Sequence, residues 1–259
     1  MRDSGYARSG FAHGFDQNRP SPPAALLDVL CLEAQAERPR LVVDLGSGTG
    51  LSTRVWAERA DEVVGVEASP EMCEHAEQAT SAESVRFVQA YAQATGLPDG
   101  AADIVTCSQS FHWMEPVATL AEIARLLRPG GVFAAYDYDW PPVVHPDVEA
   151  AFEELARNIG MRRPLRGQPR HTKDMHLDRM RESGHFRHVR EVVLHSRETG
   201  GAERIVGMAL SLGTLTVLLD EGVAEEEIGL AQLRKAAKTA LGDREVGMFL
   251  GYRVRLGVK

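Results

Sequence analysis

The stretch Leu41-Val42-Val43-Asp44-Leu45-Gly46-Ser47-Gly48-Thr49-Gly50 decides how this chain folds. A short β-branched run ending in alternating glycines reads as a strand entering a tight turn, with a helix starting near Leu51 or Ser52. Glycine suits such a turn because it tolerates positive φ and lets backbone N–H groups approach a ligand with no Cβ in the way. The spacing is Gly46-x-Gly48-x-Gly50, whereas the dinucleotide fingerprint would place its third glycine at Leu51. The loop therefore suits a nucleoside ligand better than a pyrophosphate, and the same spacing disfavours a nicotinamide oxidoreductase. An ordinary βα turn is also glycine-rich, so the loop alone does not decide function.

A second element sharpens the reading. Glu62-Val63-Val64-Gly65-Val66-Glu67 is another short apolar run capped by a carboxylate. Glu67 lies about twenty residues past the glycines, where a doubly wound fold puts the acid that takes ribose hydroxyls. A carboxylate at a strand's carboxyl end accepts two hydroxyl hydrogen bonds at once. Alone it would read equally well as a solvated strand-end acid; beside the glycine loop the binding role is favoured.

Further strand-like runs follow at 85–89, 104–108 and 132–137, with helical stretches between them, notably 115–127. Such alternation predicts an α/β fold, a doubly wound and mainly parallel sheet with helices on both faces, whose ligands bind at the carboxyl ends of the strands. Residues 1–23 read as a polar lead or lid carrying Tyr6, Phe11 and Phe15, and 24–36 as a helix. Trp140-Pro141-Pro142 breaks the rhythm. Residues 140–184 then read as a helical cap insertion: a helix over 146–159, a basic loop with Arg162, Arg163, Arg166 and Arg170, and a helix over 173–183. Two late strands at 188–196 and 248–258, with a mostly helical 202–241 between them, complete the sheet in a C-terminal part spanning 185–259.

Composition narrows the classes. The 259 residues carry 29 Lys and Arg against 37 Asp and Glu, a formal charge of −8. That balance offers nucleic acid no general attraction. Cys31, Cys73 and Cys107 are too few and too scattered for a disulfide framework or a zinc cluster, and they fit a reducing compartment. With no apolar window of spanning length, a cytoplasmic protein off the membrane is expected.

With these segments in view, the chain resembles the class I S-adenosylmethionine-dependent methyltransferases. The resemblance rests on Asp44–Gly50 and Val64-Gly65-Val66-Glu67-Ala68-Ser69, extended by Leu97–Val105, by Ser108-Gln109-Ser110-Phe111-His112-Trp113 and by Leu127-Arg128-Pro129-Gly130-Gly131. These segments occur in the family's order over roughly 41–139, which makes the core the S-adenosylmethionine-binding part (24–139), and the late strands suit the family's seven-stranded, Rossmann-like sheet. The resemblance implies that Asp44 orders the glycine loop or meets the methionine amino group, and that Gly46, Ser47 and Gly48 contact the amino-acid end. It gives Glu67 the ribose, Ala68 and Met72 the adenine, and Ala92 and Gln93 the adenine edge. Ser108 and Gln109 would lie beneath the sulfonium. Many relatives carry acids where this chain has Tyr91 and Gln93. Phe15-x-x-x-Arg19-Pro20 is similar to an aromatic-x-x-x-Arg-Pro pattern of one branch, which implies a lid role for Phe15 and Arg19.

An acceptor that must lose a proton needs a base, whereas a carboxylate or free amine does not. His112, just past the fourth strand between Phe111 and Trp113, is the candidate base, with packing or positioning as the other reading. Tyr138, with Asp139, faces the expected acceptor pocket. His171, His176, His185 and His188 are irregularly spaced within an arginine-rich stretch, so they are expected on a solvated basic surface and no metal site is expected. The expected function is methyl transfer from S-adenosylmethionine, giving S-adenosylhomocysteine, to a small molecule such as a secondary metabolite or small carboxylic acid. An RNA or protein methyltransferase, or a non-catalytic binder of the cofactor, are the alternatives. Oligomeric state stays open.

Overall fold

The computed structural model describes residues 11–162 and 171–259. Its strands are β1 (Leu41–Leu45), β2 (Glu62–Glu67), β3 (Val85–Gln89), β4 (Ala102–Ser108), β5 (Leu127–Tyr138), β6 (His188–Gly200) and β7 (Val246–Val258). The helices are α1 (Phe11–Asn18), α2 (Ala24–Glu33), α3 (Leu51–Arg54), α4 (Pro70–Gln78), α5 (Pro116–Leu126), α6 (Pro146–Arg162), α7 (His176–Glu182), α8 (Ala202–Leu210), α9 (Gly213–Asp220), α10 (Glu225–Ile228) and α11 (Leu230–Leu241).

The strands form one sheet in the order β3-β2-β1-β4-β5-β7-β6. β1 pairs in parallel with β2 and β4, β2 with β3, and β4 with β5, while β7 runs antiparallel to β5. This is the doubly wound, mainly parallel sheet the alternation predicted. Strand order reverses between β1 and β4, which opens the crevice where such sheets bind ligands. β1, β2 and β4 are almost wholly buried, because helices cover both faces.

Starts and stops follow local chemistry. Ser69 caps α4 with Pro70 in its first turn, and Glu115 caps α5 by accepting the N–H groups of Val117 and Ala118 at 3.1 and 2.6 Å, with Pro116 behind it. The helix expected after the glycine loop is a single turn, and β5 starts at Leu127, earlier than its apolar run suggested.

The chain groups into two compact units. The first contains Ser21–Tyr138, Tyr252–Lys259 and the described part of Pro169–Leu194. Its core joins Val43, Leu45, Val64, Val66, Val105 and Phe133 of the sheet to Leu120, Ile123 and Leu126 of α5 and Met180 of α7. The second contains His195–Gly251 and the described parts of Met1–Pro20 and Asp139–Gln168. Its core is helical: Val148, Phe152, Leu155 and Ile159 form one stripe of α6 and meet Ile205, Met208 and Ala209 of α8 and Leu230, Leu233, Ala237 and Leu241 of α11. The stretch 140–184 read as one cap is thus divided. α6 shares a core with the late helices, whereas α7 packs in the sheet unit. Among the described residues no single helix is long and apolar enough to cross a membrane.

Candidate cofactor and acceptor site

Asp44, second to last in β1, is fully buried. One carboxylate oxygen accepts the hydroxyls of Ser52 and Thr53, each at 2.7 Å, and the other accepts Thr106 of β4 at 2.8 Å. Burial raises its carboxyl pKa against the pull of these three donors. Asp44 thus ties β1 to β4 and to the helical turn that follows the glycine loop.

Between Asp44 and that turn, Gly46, Gly48 and Gly50 all have positive φ (66°, 56° and 81°). Their surroundings differ. A Cβ on Gly46 would fall 2.7 Å from Ser110 Cβ, and one on Gly50 2.7 Å from Phe87 Cζ, whereas one on Gly48 would meet nothing within 4 Å. Two of the glycines are needed for packing; Gly48 borders open space.

Glu67 ends β2 beside that space and is buried. Its carboxylate accepts the N–H of Gly48 at 2.9 Å and that of Ser69 at 2.8 Å. Burial raises its pKa, while the N–H groups of Ser69, Gly48 and Ala68 pull it down. With three N–H groups drawn to it, the carboxylate still keeps a lone pair for a ligand. Ala68 is half-buried, and Met72 is buried in the first turn of α4. Ala92 is buried and joins the sheet core, and Gln93 is exposed within the turn closed by the Tyr91–Ala94 bridge. Ser47 is buried, and its Oγ finds no hydrogen-bond partner among the described residues. An open cradle at Gly48, an orphaned hydroxyl beside it and a carboxylate with a spare lone pair fit a nucleoside.

A second cluster lies past β4. Ser108 ends that strand opposite Tyr136. Gln109 follows with φ 53°, a left-handed conformation that side chains rarely adopt. Its Oε1 accepts Lys173 Nζ at 2.6 Å. Ser110 Oγ donates to Leu45 O at 2.7 Å, tying this turn to the glycine loop. His112 is buried in a single helical turn (Phe111–Trp113), and its carbonyl accepts His171 N–H at 3.3 Å. Tyr138 is the last residue of β5 and is buried, with its ring edge-on to Tyr252 at 5.7 Å.

His171, His185 and His188 are at least partly exposed, as a basic surface requires. His176 is not: it is 1% exposed, lies 4.8 Å from the Phe111 ring and 6.4 Å from that of His112, and is held at a pKa of about 3. Burial is the main cause, followed by the charges of Arg255, Arg179 and Lys173. The expectation of a solvated histidine is corrected there. The overlooked signal was spacing: His176 stands four residues before the core residue Met180, on the same face of α7. Lys173, Asp137 and Arg255 were also missed; Asp137 pairs with Lys173 at 2.7 Å and with Arg255 at 3.0 Å. No such network shows in a linear sequence. Among the described residues no histidine, cysteine and carboxylate group could hold a metal ion.

Phe15 and Arg19 belong to the helical unit. Arg19 is buried, donates to Ser211 Oγ at 2.7 Å and Ser211 O at 2.8 Å, and lies over the rings of Phe15 (4.6 Å) and Trp140 (5.2 Å). Tyr6 and the rest of residues 1–10, and Arg163, Arg166 and Arg170 of the basic loop, lie outside the described residues, as do the side chains of Phe11 and Arg162.

Comparison with known proteins bears on the class of fold. Residues 43–135 match the family described as a methyltransferase domain. An uncharacterised methyltransferase of Mycobacterium tuberculosis is 36% identical over 130 residues, 50% of this chain and 51% of that protein. The trans-aconitate 2-methyltransferase of Methylobacterium radiotolerans is 40% identical over 124 residues, 46% of this chain and 45% of that protein. The chain thus spans about half the length of the curated relatives it matches. A solved structure of a candidate type II methyltransferase from Anaeromyxobacter dehalogenans matches with a TM-score of 0.70 at 25% identity, covering 93% of this chain and 97% of that one. Sheet order, glycine loop and the match over residues 43–135 together make this chain similar to the class I S-adenosylmethionine-dependent methyltransferases.

Proposed function

We propose that this chain transfers a methyl group from S-adenosylmethionine to a small-molecule acceptor. The observation that carries the reading is the Gly48–Glu67 pair, an open glycine cradle facing a buried carboxylate whose two oxygens already accept backbone N–H groups. In this reading Glu67 takes the ribose hydroxyls. Gly46, Ser47 and Gly48 hold the amino-acid end, with Asp44 behind them. Ala68, Met72, Ala92 and Gln93 border the adenine, and Ser108 and Gln109 lie at the sulfur.

Bound there, S-adenosylmethionine supplies an electron-poor methyl on a sulfonium. The protein's own contribution is alignment and exclusion of water, with little covalent chemistry. His112 stands past the end of β4 and Tyr138 is the last residue of β5, where an acceptor proton would be taken up if the acceptor has one to lose. A small acceptor agrees with the net charge of −8, which disfavours RNA, and with the trans-aconitate relative.

The test is calorimetric titration with S-adenosylmethionine, S-adenosylhomocysteine and NAD in parallel, repeated on Glu67→Ala. Binding of the adenosyl ligands but not NAD, weakened about tenfold or more in the variant, is expected. Preference for NAD, or no adenosyl binding, refutes the reading.

A further inference from the structure

The buried His176 is not used by the cofactor reading, and its hydrogen bonding is incomplete. Arg179 Nη1 lies 3.3 Å from His176 Nδ1. A guanidinium can only donate, so Nδ1 accepts and the proton of the neutral ring sits on Nε2. That N–H is buried and has no partner among the described residues. A buried donor left unmatched is costly and rare.

The charges around it are mainly positive: Arg255, Arg179 and Lys173 act on the ring, opposed by Asp174. Lys173 and Arg255 share the carboxylate of Asp137 at 2.7 and 3.0 Å, and Arg255 also reaches Glu191 at 2.9 Å. Arg179 donates to the carbonyl of Thr172 at 2.9 Å and has no carboxylate partner among the described residues. Half-buried, it is the uncompensated cation of the group. Burial and the neighbouring cations keep the ring neutral at physiological pH, so it presents a single N–H donor and not a charge.

We propose that His176 and Arg179 form the anion-binding end of the acceptor site, where the Nε2–H of His176 donates to a carboxylate oxygen of a small acceptor. The proposal rests on the methyltransferase reading for its location: the His176 ring stands 6.4 Å from that of His112, past the carboxyl end of β4. A carboxylate only accepts hydrogen bonds and brings the negative charge that Arg179 lacks. A neutral carbonyl would satisfy the N–H and leave the cation uncompensated.

The test follows the imidazole nitrogens of the full chain, labelled with 15N-histidine, by NMR. Sodium formate and, in parallel, neutral formamide are titrated in at constant ionic strength. Formate is expected to move the His176 Nε2 signal and formamide to leave it in place. Read on the His112 ring, formate binding should weaken about tenfold or more in His176→Phe and in Arg179→Met. His176→Gln keeps an N–H donor of similar reach and should retain most of the binding. A His176 signal indifferent to formate, or moved equally by formamide, overturns the proposal. S-adenosylhomocysteine titrated into a separate portion of the sample reports on Glu67 and the glycine loop, so loss of the cofactor reading is distinguishable from loss of the anion site.

Discussion

Glu67 and Gly48 meet at 2.9 Å across the carboxyl ends of β1 and β2, the glycine N–H donating to one carboxylate oxygen while Ser69 N–H takes the other at 2.8 Å. The ribose-binding candidate is thus fixed by the glycine loop itself, and the two motifs form one unit. A carboxylate clamped by backbone donors cannot swing away, which preorganises it for a diol at the cost of desolvation. The raised pKa of Glu67 records that cost.

The first prediction separates the glycines of the loop. Gly48→Ala adds a Cβ with nothing within 4 Å, so it should cost about 1 kcal/mol, from positive φ alone. Gly46→Ala drives its Cβ to 2.7 Å from Ser110 Cβ and should cost about 3 kcal/mol. Urea unfolding measures both. Titration with S-adenosylhomocysteine should then show the better-folded Gly48→Ala losing about tenfold or more in affinity, since its methyl occupies the cradle. Unchanged affinity in Gly48→Ala would move the ligand elsewhere.

Much of this was legible in the sequence, for identifiable reasons. A β-branched run followed by glycines has few structural solutions, so β1, the loop and the acid at Glu67 could be placed from local pattern. Other segments of the resemblance have scaffold roles that spacing does not reveal. Asp103 pairs with Arg128 and accepts Arg40 N–H at 2.8 Å; Arg125 pairs with Asp99 and donates to Leu97 O at 2.8 Å. What stayed hidden depends on partners distant in sequence. Asp137, Lys173 and Arg255 converge through tertiary structure, and the helical core joins α6 to α8 and α11, far later in the sequence. His176 was misread because local charge was weighed above the helical face it shares with Met180.

Glu122 carries a prediction for acid stability. It accepts Thr95 N–H at 2.9 Å, Thr95 Oγ1 at 2.6 Å and two nitrogens of Arg125, each at 2.7 Å. Arg125 above all lowers its pKa from 4.5 to about 2. A depressed carboxyl contributes stability above its unfolded pKa and loses it as pH falls through the folded value. Wild type should therefore weaken between pH 4.5 and about 2. Glu122→Gln should unfold about 2 kcal/mol more easily at neutral pH, with a flatter profile across that window. Parallel acid profiles for the two proteins would contradict this.

Gln109 tests whether backbone strain is stored at the site. Its φ of 53° is unfavourable for a side chain and free of penalty for glycine. Gln109→Gly should keep stability within about 0.5 kcal/mol although it loses the Lys173 contact, whereas Gln109→Val should cost about 2 kcal/mol or more. Thermal unfolding gives the ranking. If glycine proves as damaging as valine, the Lys173 hydrogen bond and not the backbone is what matters there.

Asp44 separates the two roles its position allows. Ser52, Thr53 and Thr106 all donate to it, and hydroxyls can rotate to accept from an amide instead. Asp44→Asn should therefore stay within about 1 kcal/mol of wild type, whereas Asp44→Ala strands three buried hydroxyls and should cost about 3 kcal/mol. Burial raises the Asp44 pKa, so the folded state holds this proton more tightly than the unfolded chain. Its contribution to stability is then greatest at low pH and declines as pH rises from the unfolded carboxyl range through the folded value. Asp44→Asn should remove that decline. If the carboxylate also meets the amino group of S-adenosylmethionine, Asp44→Asn will bind the cofactor about tenfold or more weakly while remaining folded. If it only orders the loop, affinity will survive the charge loss and fall only in Asp44→Ala, and calorimetry on the two variants distinguishes the roles.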